Sequence, residues 1–275
     1  MPNPLSEDKR SKCKADIQQH IYSWSVKAIF VTGTAGAGKS LLTSRLIQWY
    51  KDTNAYPVSL NLDPGAASLP YEPDIDVREY VDISNIMESY GLGPNGSLVM
   101  ASDMIATKLD EIQKELDELN PDYVIVDTPG QIELFAFRAS GPYFVSNLRA
   151  DGKATIFTFD GMLVSSPINF VSISLLATSV KLRLKTAQIN TLTKRDLVID
   201  KLKDMLDWAS PGAALEHALN DDKDIEYSLL SKELARVMNK SGFGQSMIAV
   251  SSVTMNGIVN LAAAVSRTLN LGEDG

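Results

Sequence analysis

The sequence KAIFVTGTAGAGKS, residues 27–40, joins a short apolar run directly to a glycine-rich turn that ends in Lys-Ser. It satisfies the pattern G-x-x-x-x-G-K-[ST], with a predicted strand at 27–32 before it and helical spacing at 39–51 after it. Glycines let successive backbone N–H groups turn inward to form an anion-binding concavity, and the helix N-terminus adds positive partial charge. The stretch therefore predicts a phosphate-binding loop, in which Lys39 reaches the phosphates and Ser40 ligates Mg²⁺. The candidate loop residues are Gly33, Thr34, Ala35, Gly36, Ala37, Gly38, Lys39, Ser40 and Leu41.

The rest of the chain repeats this alternation of apolar runs and helical segments. Continuous apolar runs are typical of parallel strands that are buried on both faces. We expect an α/β fold with a mostly parallel sheet, helices on both faces and a small helical insertion at 209–243. Residues 1–26 are interpreted as an N-terminal extension with a short helix at 13–23, and 27–275 as a single domain. Predicted strands lie at 27–32, 57–62, 122–127, 154–160, 187–192 and 245–250. Predicted helices lie at 39–51, 77–90, 97–119, 167–182 and 256–269, with 66–76 as a loop and a break at 93–96.

Composition excludes several classes of protein. The 275 residues include 26 Lys and Arg against 34 Asp and Glu, a net charge of −8, so nucleic acid is an improbable partner. No apolar run is long enough for a membrane span, and the polar start of the chain does not resemble a secretory signal. One cysteine and two histidines exclude intrachain disulfides and make a zinc site improbable. We expect a cytoplasmic protein.

Two aspartates follow predicted strands at the edge where parallel sheets bind ligands. Asp63 and Asp127 are candidate catalytic residues and, with Ser40, candidate Mg²⁺ ligands. Asp127 begins the stretch DTPGQIE, 127–133, in which Gly130 can sense a γ-phosphate through its N–H. Gln131 and Glu133 can reach a water molecule in line with that phosphate. The alternative is that these aspartates are only helix caps or turn formers.

A second polar segment follows the strand at 187–192. Its members Thr193, Lys194 and Asp196 are candidates for reading a nucleotide base, together with Ser251 and Ser252 after the last predicted strand. A carboxylate accepts hydrogen bonds only, so Asp196 can pair with the N1–H and exocyclic amine of guanine but not with adenine. The expected ligands are therefore GTP and GDP. The alternative is an ordinary polar junction between a strand and a helix.

Taken together, these motifs resemble those of the GPN-loop GTPases. The most specific of them is GLGPNG, 91–96, placed between the phosphate loop and DTPGQIE, with ASGPYF, 139–144, after it. The resemblance is strongest to an archaeal-type or minimal member. It implies a P-loop NTPase fold and a homodimer in which Gly93, Pro94 and Asn95 complete the site of the partner, with Asn95 as a catalytic residue. It also implies clients in protein-complex assembly. Thr193 departs from the family pattern, which has Asn at that position.

Three functions remain open at this point. The leading one is Mg²⁺-dependent GTP hydrolysis by a homodimer. The second is a nucleotide-gated interaction module with slow turnover, which differs in its rate and in its dependence on a partner. The third is a P-loop kinase for a small molecule, which a water-positioning loop such as DTPGQIE disfavours.

Overall fold

The structure is a computed structural model that describes residues 26–220, 225–240 and 247–270, the side chains of 225–228 excepted. The predicted helix at 13–23 lies outside these residues, as do parts of the predicted insertion. Within them, seven strands form one sheet in the order β3-β2-β4-β1-β5-β6-β7, and every neighbouring pair is parallel. The expected parallel α/β fold is confirmed. The strands are β1 (Lys27–Gly33), β2 (Pro57–Asn61), β3 (Ile75–Asp76), β4 (Tyr123–Asp127), β5 (Gly152–Asp160), β6 (Ala187–Thr193) and β7 (Ile248–Ala249).

Helices cover both faces of the sheet, so the strands are apolar on both sides. On β1, Ala28 and Phe30 join the core on one face, while Ile29 and Val31 join the core on the other. The second core includes the buried sides of the first and last helices of the described ranges. The helices are α1 (Lys39–Asp52), α2 (Ile83–Tyr90), α3 (Pro94–Thr107), α4 (Leu109–Leu119), α5 (Ser140–Asn147), α6 (Pro167–Leu184), α7 (Leu202–Ala209), α8 (Ala214–Asn220), α9 (Ile225–Lys240) and α10 (Ile258–Asn270).

The segment 77–119 differs from its prediction. The expected helix at 97–119 is two helices, α3 and α4, which meet at Lys108. The predicted break at 93–96 instead contains the start of α3. Pro94 occupies the first turn of that helix, a position that suits its fixed φ and missing N–H. The expected helix at 77–90 is a 3₁₀ turn, Val77–Glu79, followed by α2. Asp82 separates the two because its carboxylate caps α2, accepting from the backbone N–H of Ser84 at 2.7 Å.

Two strands also differ from the sequence prediction. The predicted loop at 66–76 ends in β3, and the predicted strand at 245–250 is only two residues long within the described residues. Helices α8 and α9 lie in the predicted insertion and pack on α6. Among the helices of the described ranges, none is long and apolar enough to cross a membrane.

Candidate functional site

The predicted site residues lie at the edge of the sheet where the parallel strands end. Gly33 ends β1, Asp127 ends β4 and Thr193 ends β6, while Asp63 and Ser251 follow β2 and β7 within two residues. Because β4 lies between β1 and β2 in the sheet, the Asp63 and Asp127 segments and the phosphate loop meet at its centre. The structure thus brings the carboxylates of the sequence prediction together with the glycine-rich turn.

The turn between β1 and α1 has the backbone shape of a phosphate cradle. Gly36 and Gly38 have φ of 76° and 83°, in the left-handed region that favours glycine. A Cβ built on either residue would meet no heavy atom of residues 26–220, 225–240 or 247–270 within 4 Å, so these residues leave the space beside the loop open. The N-cap residue of α1 is Gly38, which has no side chain to bond the first N–H groups of the helix, and an anion can therefore do so.

Lys39 lies in the middle of this arrangement and is only 6% exposed. Its ammonium donates to the carbonyl oxygens of Thr34 at 3.1 Å, Gly33 at 3.3 Å and Gly130 at 3.3 Å. Burial lowers the pKa of the Lys39 ammonium, and the charges of Asp127 and Asp63 oppose that shift. The side chain therefore links the phosphate loop to the DTPGQIE loop across the position where phosphates are expected.

Asp127 is 1% exposed, and its two carboxylate oxygens differ. Oδ2 accepts from the Tyr71 hydroxyl at 3.1 Å, whereas Oδ1 has no hydrogen-bond partner in the described part of the chain. Burial raises the pKa of this carboxyl to about 6, with Ser40, Tyr71 and Lys39 acting in the opposite direction. A buried, unpartnered carboxylate oxygen is costly unless a ligand satisfies it.

This oxygen fits a magnesium ion. Within the described residues no group of three His, Cys, Asp or Glu side chains is placed to hold a metal. Mg²⁺, however, is commonly bound by one or two carboxylates with the remaining ligands from water and substrate phosphates. Asp127, Asp63 and the Ser40 hydroxyl are the predicted donors of such an incomplete set, and their role as Mg²⁺ ligands remains a prediction.

Asp63 connects its own loop to the DTPGQIE loop. Its Oδ2 accepts from the Gly130 N–H at 3.0 Å, and its Oδ1 accepts from the Gly65 N–H at 2.9 Å. The N–H expected to sense a γ-phosphate is therefore bonded to a carboxylate in this structure. Gln131 and Glu133 are both exposed, and Glu133 begins a short π-helical turn that ends at Phe137. Their contact with a water molecule remains a prediction.

The two predicted base-reading loops lie side by side. The N–H of Arg195 donates to the carbonyl of Val250 at 3.2 Å, which joins the loop after β6 to the loop after β7. Ser251 and Ser252 are buried there, and the Ser252 carbonyl accepts from Arg45 of α1 at 2.8 Å. Contact of these loops with a nucleotide base remains a prediction.

Within the loop after β6, the three predicted residues have different surroundings. The Thr193 hydroxyl is buried and lies 2.8 Å from the carbonyl oxygen of Ala37 and 3.0 Å from that of Phe159. It therefore braces the phosphate loop. Lys194 pairs with Asp160 at 2.7 Å, and Asp196 lies partly exposed in a 3₁₀ turn.

The Gly93-Pro94-Asn95 segment is exposed at the start of α3. Leu98, one residue into the second turn, packs against Gly65, where an added Cβ would lie 2.6 Å from the leucine Cδ2. The Asn95 amide makes no hydrogen bond to another residue of the described part of the chain. The first turn of α3 thus lies beside the loop that carries Asp63, with the Asn95 side chain open to other ligands.

Comparisons with known proteins agree with these motifs. Residues 31–271 match the family described as "Conserved hypothetical ATP binding protein". GPN-loop GTPase 3 of Kluyveromyces lactis is 30% identical over 223 residues, which make up 79% of this chain and 82% of that protein. The chain belongs to the GPN-loop GTPase family. A GTPase of Pyrococcus abyssi, solved in its apo form, is 30% identical with a TM-score of 0.77 and covers 89% of this chain and 98% of its own.

Other GPN-loop GTPases are longer than the aligned region. The relative QQT2 of Arabidopsis thaliana is 35% identical over 205 residues, which cover 72% of this chain but 53% of that protein. Across the first three curated relatives, the chain spans 53%, 58% and 61% of their lengths.

Sequence reasoning missed several polar residues of this member of the GPN-loop GTPase family. Tyr71 reaches Asp127 from the predicted loop 66–76. The only sequence feature that could have pointed to Tyr71 is an aromatic side chain between two prolines. Buried Asn61 and Asp76 form a network with half-buried Arg78 beside Asp63. Their pairing depends on β3, which the sequence did not indicate.

Proposed function

We propose that this chain binds GTP with Mg²⁺ and hydrolyses it to GDP and phosphate. The observation that carries the proposal is Oδ1 of buried Asp127, which no described residue hydrogen-bonds and which lies in the same site as Lys39 and the open phosphate loop. The GTPase names of the relatives support it. In this proposal the loop N–H groups and Lys39 bind the phosphates, and Ser40, Asp127 and Asp63 hold Mg²⁺, which would neutralise phosphate charge.

Hydrolysis also needs groups that sense the γ-phosphate and position water. In the proposed bound state, the Gly130 N–H turns from Asp63 to a γ-phosphate oxygen. The Asp63 carboxylate, released from that N–H, would then hold Mg²⁺, and Gln131 and Glu133 close over the site from their exposed positions to orient the attacking water. Such positioning and charge stabilisation account for most catalysis in this reaction class.

The choice of base is tested by competition, since the matched family description names ATP while the relatives are named GTPases. GTP is expected to displace a fluorescent GDP analogue far better than ATP. Asp196→Asn should reduce that preference and improve binding of xanthosine diphosphate, because Asn can donate to the purine oxygen that replaces the amine. Asp200→Asn, at an exposed position nearby, is the control. Equal binding of ATP and GTP by the unmodified protein would contradict the guanine assignment.

The assembly is proposed as a homodimer in which Asn95 acts on the partner's site. Support comes from the exposed Gly93-Pro94-Asn95 segment. It also comes from the Asn95 amide, which makes no hydrogen bond to another residue in the described part of its own chain. The proposal also includes a single domain at 27–275 with an inserted lobe at 209–243. It further includes a client in protein-complex assembly.

One observation also favours the nucleotide-gated module. Arg138, just after the π-helical turn, forms an ion pair with Asp103 of α3, with Nε 2.8 Å from Oδ1. A change at Gly130 on γ-phosphate binding would therefore reach the helix that begins at Pro94. Slow turnover with a large nucleotide-dependent change in small-angle scattering would favour this function over an enzyme with fast turnover.

A further inference from the structure

The backbone of Asp63 is held by the side chain of Asn61, the last residue of β2. The fully buried Asn61 amide oxygen accepts from the Asp63 N–H at 3.0 Å, and its Nδ2 lies 3.3 Å from the Asp63 carbonyl oxygen. The same Nδ2 donates to Oδ1 of Asp76 at 2.9 Å. Asn61 and Asp76 are directly paired in the parallel register of β2 and β3, so the two-residue strand β3 is what places this carboxylate.

Asp76 is in turn held by Arg78. The Arg78 Nε lies 3.0 Å from each carboxylate oxygen, and Nη2 lies 2.5 Å from Oδ2. A guanidinium suits this geometry because its planar fork matches a carboxylate. The remaining nitrogen, Nη1, donates to the carbonyl of Ala66 at 2.8 Å. Ala66 closes the turn that begins at Asp63, so the chain of bonds returns to its starting loop.

The result is a ring of bonds that fixes the loop 63–66 at both ends. Asn61 holds its start and Arg78 holds its end, while the Asp63 carboxylate remains outside the ring and reaches Gly130. Asp76 is 8% exposed, and its desolvation is offset by four donors, the backbone N–H, Nε and Nη2 of Arg78 and Nδ2 of Asn61. A ring that served only to seal the sheet edge would not need to close on the loop that carries a catalytic carboxylate.

We propose that Arg78 is a positioning residue for hydrolysis, acting through Asp76, Asn61 and Ala66 to fix the loop 63–66, so that the Asp63 carboxylate stays beside the phosphate loop when the Gly130 N–H turns to the nucleotide. This inference rests on the proposed function and deepens it. It assigns Arg78 no contact with the nucleotide, since its guanidinium nitrogens are taken up by Asp76 and Ala66. A small displacement of a reacting group is enough to lower a rate strongly, so the effect should appear in kcat.

The test uses Arg78→Lys in the full chain. A lysine keeps the charge opposite Asp76 but cannot bond both Asp76 and Ala66 through a fixed fork. The expected result is a fall in kcat of roughly tenfold, with KM and the affinity for GDP changed by less than about twofold, since the phosphate loop is untouched. Arg236→Lys is the matched control, because Arg236 also pairs with two carboxylates, Glu216 and Glu233, but on α8 and α9.

A double-mutant cycle with Asp63→Asn decides whether Arg78 acts through Asp63. If it does, adding Arg78→Lys to Asp63→Asn lowers kcat little further, because the group being positioned is already lost. Independent, multiplying losses would overturn the proposal, and so would a rise in KM that accounts for the whole effect. If Arg78→Lys does not fold, as judged by thermal unfolding, Asp76→Asn takes its place with the same expected non-additivity. Lack of GTP hydrolysis by the unmodified protein would overturn the proposed function itself, whereas hydrolysis with an additive cycle overturns only the role of Arg78.

Discussion

At the scale of single residues, Asp127 has a carboxyl whose ionisation opposes folding. Burial raises its pKa to about 6 from an ordinary value of 3.8, so the folded protein binds this proton more tightly than the unfolded chain. The resulting loss of stability is absent below about pH 4, grows as the pH rises towards 6 and is complete above it. Asp127→Asn removes the charge and is expected to raise the unfolding free energy of the nucleotide-free protein at pH 7.5 by on the order of 2–3 kcal/mol. Thermal unfolding at pH 7.5 and 4.5 measures this, and a gain of equal size at both values would contradict it.

Tyr71 supports the ionised form of the same carboxyl. Burial and the nearby Asp127 charge raise the pKa of the Tyr71 hydroxyl well above its ordinary value, so it remains a donor at physiological pH. Tyr71→Phe removes the donor, keeps the ring and should raise the pKa of Asp127 further. A protonated carboxyl does not bind a cation. The Mg²⁺ concentration for half-maximal GDP binding at pH 6.5 should therefore rise by about 3–10 times. The effect should shrink at pH 8. Tyr56→Phe, at an exposed tyrosine, is the control, and an equal effect at both pH values would argue against this linkage.

At the scale of elements, the N-terminus of α1 and the turn before it form the proposed phosphate-binding site. Lys39→Ala is expected to weaken GTP binding by roughly tenfold to a hundredfold or more, since charge-assisted bonds to phosphate are lost. The fold should remain, because the Lys39 ammonium bonds only to backbone carbonyls in the described structure. Lys51→Ala, at the exposed end of the same helix, is the control. Titration of a fluorescent GTP analogue gives both affinities, and unchanged binding by Lys39→Ala would remove the basis of the phosphate-loop assignment.

Elements with a local signal could be predicted from the sequence, and elements set by distant contacts could not. The strand and helix around the phosphate loop follow from an apolar run, glycines at left-handed φ and helical spacing. The two-residue strand β3 has no such pattern, because it is defined by pairing with β2, fifteen positions earlier in the chain. The start of α3 was misplaced for a different reason, since proline can end one helix or begin the next.

At the scale of the whole molecule, the order of the strands assembles the site. The sequence places Asp63, Asp127 and Thr193 after separate strands. Only the order β2-β4-β1-β5-β6 brings the first two to one side of the predicted phosphate loop and the predicted base-reading loop to the other. The raised pKa of Asp127 and its unpartnered oxygen are also products of this assembly, as no neighbour in sequence causes them. Within the described part of a single chain, the Asn95 amide has no hydrogen-bond partner.

The proposed dimer predicts complementation between two inactive variants. Asn95→Ala should lower kcat by roughly 100-fold, the usual cost of losing one preorganised donor, with little change in GTP affinity. Lys39→Ala should have almost no activity at GTP concentrations that saturate the unmodified protein, because its binding of the nucleotide is strongly weakened and its phosphates lack the Lys39 charge. If Asn95 acts across the dimer, a mixed dimer contains one complete site, which joins Lys39 of one chain to Asn95 of the other. After full subunit exchange at equal concentrations, half of the dimers are mixed and each has one working site of two, so about a quarter of the unmodified activity should return.

Native mass spectrometry of chains that carry different tags measures the extent of this exchange. Mixing either variant with buffer, or with a tagged copy of itself, should restore nothing, which separates complementation from dilution effects. If the mixed dimer is present and activity stays at the level of Asn95→Ala alone, Asn95 serves the site of its own chain. The exposed start of α3 would then act through Leu98 and Gly65 on the Asp63 loop of the same chain, the contact that the structure already contains.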